Sequence, residues 1–114
     1  DQTARHVLGR KENKIVAYAR AFPPGEYYDG FSGFGRVAVD KKERGKGVGV
    51  ALVEKTVEVC LKNFTNHDIK ISAQEHLEKF YVERGFVCKN ERYLEDGIPH
   101  CAMYYKGKEI KEKE

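Results

Sequence analysis

A chain of 114 residues, 40% hydrophobic and 34% charged with 3 prolines, has room for one compact domain and lacks the bias of a disordered, fibrous or disulfide-scaffolded chain. Its 21 cations and 18 anions leave a net charge of +3, too small a surplus to indicate a nucleic-acid partner. No apolar run approaches the ~20 residues that cross a bilayer, and the start Asp1-Gln2-Thr3-Ala4-Arg5 has no signal-like apolar core, so the expectation is a cytoplasmic protein with no membrane partner.

In chain order, His6-Val7-Leu8 reads as a first strand, Lys11-Glu12-Asn13-Lys14 as a polar turn, and residues 15–22 as a second strand stopped by Pro23-Pro24-Gly25. Residues 25–33, with Tyr27, Tyr28 and Phe31 among glycines, read as a loop, and residues 34–39 as a third strand. Between Val48 and Asn63 the apolar residues Val48, Ala51, Leu52, Val53, Val59, Cys60 and Leu61 fall on one broad helical face, with Glu54, Lys55, Glu58 and Lys62 opposite. Residues 69–73 alternate as a short strand. Leu77, Phe80, Tyr81 and Arg84 stand at i, i+3, i+4 and i+7 of a second helix, which Gly85 ends in a left-handed cap. Residues 86–88 and 92–94 read as a strand, residues 95–99 as a tight turn, and residues 100–105 as the returning strand. The order βββαβαββ predicts an α/β (α+β) fold: a mixed, mostly antiparallel sheet with one parallel step, over residues 1–105. The tail, residues 106–114, mixes both signs and reads as a solvated end.

Cys60, Cys88 and Cys101 are odd in number and have no C-x-x-C spacing, so the expectation is neither a disulfide framework nor a metal site, and a reducing compartment in which the cysteines stay as thiols. His6, His67 and His76 add no metal-binding pattern.

The stretch Asp40-Lys41-Lys42-Glu43-Arg44-Gly45-Lys46-Gly47-Val48-Gly49 sits at a strand-to-helix seam. A helix N-terminus carries unpaired N–H groups and partial positive charge, and glycines let a bulky anion approach. Arg44 and Lys46 add charge where a diphosphate would sit. The spacing fits neither the Walker loop nor the dinucleotide fingerprint G-x-G-x-x-G, since Val50 stands where that pattern needs its last glycine. What remains is R-x-x-G-x-G, carried by Arg44, Gly47 and Gly49.

With those residues the chain resembles the GNAT superfamily of acetyl-CoA-dependent N-acetyltransferases. Tyr81, Gly85 and Phe86 match its Y-x-x-x-G-F motif, and three further stretches resemble the ElaA-like members: Gly35-Arg36-Val37-Ala38-Val39, Ala73-Gln74 and Glu95-Asp96-Gly97-Ile98-Pro99-His100. The family's usual N-terminal strand and two helices have no counterpart before the matching segment, and the expectation is a truncated chain or a second copy, a homodimer, that supplies this cover.

The resemblance implies acetyl-CoA as co-substrate and an amine-bearing small molecule or peptide as acceptor. It implies that the backbone of Val37, Ala38 and Val39 lies along the pantetheine arm, that Arg44, Gly45, Lys46, Gly47, Val48 and Gly49 hold the pyrophosphate, and that Gln74, Leu77 and Phe80 border the thioester end. Tyr81 is the expected general acid for the departing thiolate, because a phenol keeps its proton at neutral pH. An alkylamine with a pKa of about 10.4 needs help to lose its proton, and because an imidazole ordinarily titrates near 6.5, His100 is the expected base, with Glu26 and Asp96 behind it. Two rival readings are a catalytically idle CoA-binding domain and an anion-binding module that uses Lys41, Lys42, Arg44 and Lys46.

Overall fold

A computed structural model describes residues 3–107, so most of the charged tail, residues 108–114, lies outside the described residues. The chain divides into two compact units, Asp1–Ile69 and Lys70–Glu114.

In the first unit, β1 (Arg5–Lys11) and β2 (Lys14–Phe22) form an antiparallel hairpin. Its two-residue turn holds Glu12 at φ 51° and Asn13 at φ 70°, the left-handed pair whose twist matches the strands it joins. β3 (Phe31–Val39) runs antiparallel to β2, and the register shifts between Tyr18 and Arg20. There Ala38 faces Tyr18 and Gly35 faces Arg20, so β3 spends two residues, Arg36 and Val37, against Ala19 alone. Arg36 takes φ 54° to accommodate that bulge.

A 3-10 turn, Lys41–Glu43, leads to α1 (Val48–Asn63). The helix buries Leu52, Val53, Thr56, Val57 and Cys60, while Leu61, which the periodicity assigns to the apolar face, is 47% exposed. Thr56 can go inside because its hydroxyl donates to the Leu52 carbonyl at 2.7 Å and leaves no buried polar group unpaired. Ala17, Ala19 and Ala21 keep β2 low under the core, where Val7, Ala17, Ala19 and Leu52 cluster with Val37, Val39, Val48 and Val59 around them.

β4 (Asp68–Gln74) belongs to both units. Its first two residues pair in parallel with β3, Phe31 with Asp68 and Ser32 with Ile69. The remainder pairs antiparallel with β6 (Ile98–Tyr105), which in turn pairs with β5 (Phe86–Glu95). The strand order is β1-β2-β3-β4-β6-β5, with one parallel step.

In the second unit, a 3-10 turn, Glu75–Leu77, precedes α2 (Glu78–Glu83). Gly85 follows at φ 104°, and a Cβ there would meet the Tyr105 ring at 2.9 Å, so glycine is required twice over. Only Tyr81 of the expected apolar stripe is buried; Leu77 is 37% exposed. Asp96 at φ 53° and Gly97 at φ 76° close the β5–β6 hairpin.

One expectation is overturned here. Cys88 and Cys101 form a disulfide across that hairpin, with a Cα–Cα distance of 6.5 Å. Cys88 pairs with Met103, and after a bulge Arg92 pairs with Cys101, so the two cysteines sit diagonally on one face. Sequence spacing of 13 does not reveal that neighbourhood, because it depends on the bulge. Cys60 remains free and buried, and burial pushes its thiol up to about 12.

Candidate active site

The sequence-predicted residues divide between the units: Val37 to Gly49 lie in the first, Gln74 to His100 in the second. In the first unit, the turn before α1 is shaped by Gly45 at φ 80° and Gly47, the N-cap, at φ 82° and ψ 2°. A Cβ at either position would meet nothing within 4 Å, so neither glycine is explained by close packing. No side chain caps the helix, its first turn holds no acidic residue, and the first intrahelical bond is Ala51 N–H to Gly47 O at 3.1 Å. The N–H groups of Val48, Gly49 and Val50 therefore precede the helical ladder, where an anion is favoured by both hydrogen bonding and the helix dipole.

Arg44 is anchored at this seam: its Nε donates to the Val39 carbonyl at 3.2 Å. Lys46 is not purely a solvated cation. Its ammonium lies 3.7 Å from Glu43, a buried carboxylate that also holds Lys11 of β1 at 3.4 Å. Glu43 thus ties the loop to the edge strand, a role hidden in the sequence within a run of charges. A recess of about 370 Å³ opens beside it, lined by Val7, Lys11, Ala17, Glu43, Val48 and Leu52 among others. Lys41 and Lys42 are exposed. Pairing of β3 with β4 is confined to Phe31 and Ser32, upstream of Val37, Ala38 and Val39; on the other side Ala38 and Val39 pair with β2, while Val37 lies in the bulge.

In the second unit, Tyr81 is 7% exposed, edge-on to Phe80 at 5.1 Å and to Phe86 at 5.8 Å. Burial raises its pKa above the usual phenol value, so the proton is held more firmly than in water. Arg92 clamps the start of this helical segment, 3.1 Å from Glu78 and 3.2 Å from Glu75. Those two carboxylates raise the guanidinium pKa further, Glu78 foremost.

Gln74 and His100 are register partners on β4 and β6, and Tyr93 of β5 is the partner of His100 on its other side. The Tyr93 and His100 rings stack at 6.1 Å with 20° between planes. The Tyr93 hydroxyl donates to Ser72 Oγ at 2.5 Å, and Ser72 Oγ donates to Glu95 Oε1 at 3.0 Å. Glu95 Oε2 stands 3.9 Å from His100 Nε2. Ser72, Tyr93 and Glu95 escape a sequence reading, since only the alternation of three paired strands brings them onto one face with His100.

Glu26 pairs with Arg20 at 2.7 Å, and Asp96 lies in the hairpin turn. Glu78 and the two bridged sulfurs form the one group with metal-ligand proximity among the described residues, and the disulfide occupies both sulfurs. No helix among the described residues is long and apolar enough to cross a membrane.

The family model for the acetyltransferase (GNAT) domain matches residues 1–106. The chain belongs to the GNAT acetyltransferase family. Within this GNAT family it is 40% identical over 99 residues to protein ElaA of Escherichia coli K12, covering 87% of this chain and 64% of that protein. The chain thus spans under two thirds of that relative. The crystal structure of E. coli ElaA superposes with a TM-score of 0.80 at 38% identity, over 90% of this chain and 68% of that one. An acyl-CoA N-acyltransferase from Pseudomonas aeruginosa gives the same TM-score and coverages at 31% identity. A GNAT family acetyltransferase from Elizabethkingia anophelis, solved with acetyl-CoA bound, shares the fold at 18% identity, with a TM-score of 0.69 over 92% of this chain and 77% of that one.

Proposed function

We propose that this GNAT domain is an N-acetyltransferase that moves an acetyl group from acetyl-CoA to a primary amine by direct attack in a ternary complex. The observation that carries the reading is the uncapped N-terminus of α1, approached through two left-handed glycines with open space at each Cβ and no acidic residue in the first helical turn. That combination fits a diphosphate and has no packing explanation. Acetyl-CoA, when bound, supplies an acyl group activated as a thioester.

The chain's own groups have separable tasks. The N–H groups of Val48 and Gly49, with those of Gly45, Lys46 and Gly47, bind the pyrophosphate, and Arg44 and Lys46 add charge. Holding Lys46, Glu43 sets the charge of the loop and keeps it from being purely attractive to any anion. The backbone of Val37, Ala38 and Val39 binds the pantetheine arm as an added strand would. Gln74, Leu77 and Phe80 border the reacting end. Tyr81 holds a proton to give to sulfur, and its raised pKa keeps the phenol protonated across the neutral range. His100 removes the amine's proton. Its Nδ1 lies 2.7 Å from the Ile98 carbonyl, which can only accept, so the neutral ring carries its proton there and leaves a lone pair on Nε2.

Calorimetry with acetyl-CoA and with CoA tests the donor half. Binding that is lost on Gly47→Val and that weakens with salt supports it, and no heat at millimolar acetyl-CoA overturns it. Release of free thiol with a panel of primary amines tests the transfer, and separates the enzyme from an idle CoA-binding domain.

A further inference from the structure

Resting on that transferase reading, we propose that Glu95 and His100 form a paired receptor for a protonated primary amine, in which Glu95 captures the ammonium and positions it for deprotonation by His100 Nε2.

Glu95 Oε2 and His100 Nε2 are 3.9 Å apart, too far for a direct hydrogen bond. Both are acceptors in the neutral-imidazole state, because the Ile98 carbonyl fixes the ring proton on Nδ1. Two acceptors at that spacing share one donor well. A nitrogen about 2.9 Å from each fits over the gap, and an ammonium carries enough N–H bonds to serve both. A neutral or anionic acceptor satisfies neither pair of lone pairs as well.

The exposures of the two groups suit these tasks. The Glu95 side chain is 53% exposed and meets the solvated cation, whereas the His100 side chain is 8% exposed and sits under the Tyr93 ring. Glu95 does not move freely, since Ser72 donates to its other oxygen and Tyr93 donates to Ser72. Two side chains, Ser72 of β4 and Tyr93 of β5, thus fix one carboxylate beside one imidazole. Their geometry has no evident packing purpose, because Glu95 is exposed and Ser72 is half-buried.

The proton step balances without any co-reactant. An N–H bond of the ammonium breaks, an Nε2–H bond forms, and the positive charge moves from the acceptor to the imidazolium. Glu95 stabilises that charge in both places, so it does not trap the substrate in its protonated form. Groups bordering His100 are Tyr93 and Glu95 from β5, Ser72 and Gln74 from β4, and, near Ile98 and Pro99, Glu75 and His76 of the 3-10 turn. Glu75 is already held by Arg92 at 3.2 Å, which leaves Glu95 as the unneutralised anion of the set.

The test compares the unaltered chain with Glu95→Gln and Ser72→Ala. NMR of the His100 Cε1–H signal at one fixed pH follows binding of n-butylammonium with no acetyl-CoA present. The unaltered chain should show a saturable shift, and Glu95→Gln should weaken the apparent affinity roughly tenfold or more, because the carboxylate half of the receptor is gone. Ser72→Ala, which keeps the charge and loosens its position, should weaken it less. With an alkylamine panel from n-butylamine to lysine methyl ester, Glu95→Gln should raise KM roughly tenfold or more and change kcat much less. An ammonium affinity, or a KM, unchanged by Glu95→Gln overturns the receptor. Absence of any transfer by the unaltered chain overturns the transferase reading instead, and leaves the pairing of Glu95 with His100 to be decided by ammonium binding.

Discussion

Gly49 stands in the first turn of α1 with its nearest foreign atom, Val39 Cγ2, 3.9 Å from where a Cβ would lie. That is ordinary van der Waals contact. An alanine therefore fits, and in a helix it is favoured over glycine by up to about 1 kcal/mol. Gly49→Ala should leave thermal stability equal or higher, yet weaken acetyl-CoA binding if the glycine keeps the approach to the helix N-terminus bare. Differential scanning fluorimetry and calorimetry on one sample check both signs. A stable variant with unaltered affinity would remove Gly49 from the phosphate site.

Gly47 is the contrasting case. At φ 82° it also has open space at its Cβ, so Gly47→Ala meets no neighbour but forces an L-residue into the left-handed region. The cost is roughly 1–2 kcal/mol, paid in backbone strain at the mouth of the helix. Urea unfolding should show that loss, and a Gly47→Asn variant, which tolerates the left-handed region better, should recover part of it.

How far the sequence carries an argument is visible in these elements. The order βββαβαββ follows from runs whose apolar spacing changes between 2 and 3.6, and the one parallel step follows from strands flanking a helix. R-x-x-G-x-G at the seam is legible because glycine and charge act locally. What escapes is decided by pairing. The bulge that sets Cys88 beside Cys101 is invisible until β5 and β6 are in register, and Thr56 takes an inside place that the periodicity gave to Leu61 because it bonds its own helix. Glu43 reads as one charge among many, although Lys11, 32 residues away, and Lys46 make it a buried knot. Ser72, Tyr93 and Glu95 meet only through three strands.

The β5–β6 disulfide closes a loop with a sequence separation of 13. By the chain-entropy estimate such a crosslink is worth about 3 kcal/mol. Reduction with a phosphine, or Cys88→Ser, should lower Tm by roughly 10–20 °C for a chain of this size. Scanning fluorimetry with and without reductant measures it, and mass spectrometry of the unreduced chain should find two sulfhydryl hydrogens missing. Equal Tm values in both conditions would show that the crosslink constrains nothing in the unfolded chain.

Cys60 offers a pH test free of any functional assumption. Burial raises its thiol from the ordinary value of 9.0 to about 12, so the folded state holds the proton where the unfolded chain releases it. Its contribution to stability is complete below pH 9 and is lost progressively as pH rises from about 9 towards 12. At pH 8 its thiolate fraction is about a thousandfold below that of an ordinary cysteine. Iodoacetamide labelling of the oxidised, folded chain should be slower by that order than labelling in urea, and rapid modification of native Cys60 would place it at the surface.

Tyr81 can be separated from its own packing. Tyr81→Phe keeps the edge contacts to Phe80 and Phe86 and removes only the hydroxyl, whereas Tyr81→Ala also empties an aromatic site and costs about 3–5 kcal/mol. On the transferase reading, Tyr81→Phe should reduce kcat by roughly 100-fold or more with acetyl-CoA affinity nearly unchanged. Because burial raises the phenol pKa, the unaltered enzyme should keep its acid form through neutral pH and lose activity on the alkaline side only above pH 10. An alkaline limb below pH 9, or a kcat for Tyr81→Phe equal to that of the unaltered chain, would assign proton donation to another group and leave Tyr81 as the aromatic wedge between α2 and Phe86.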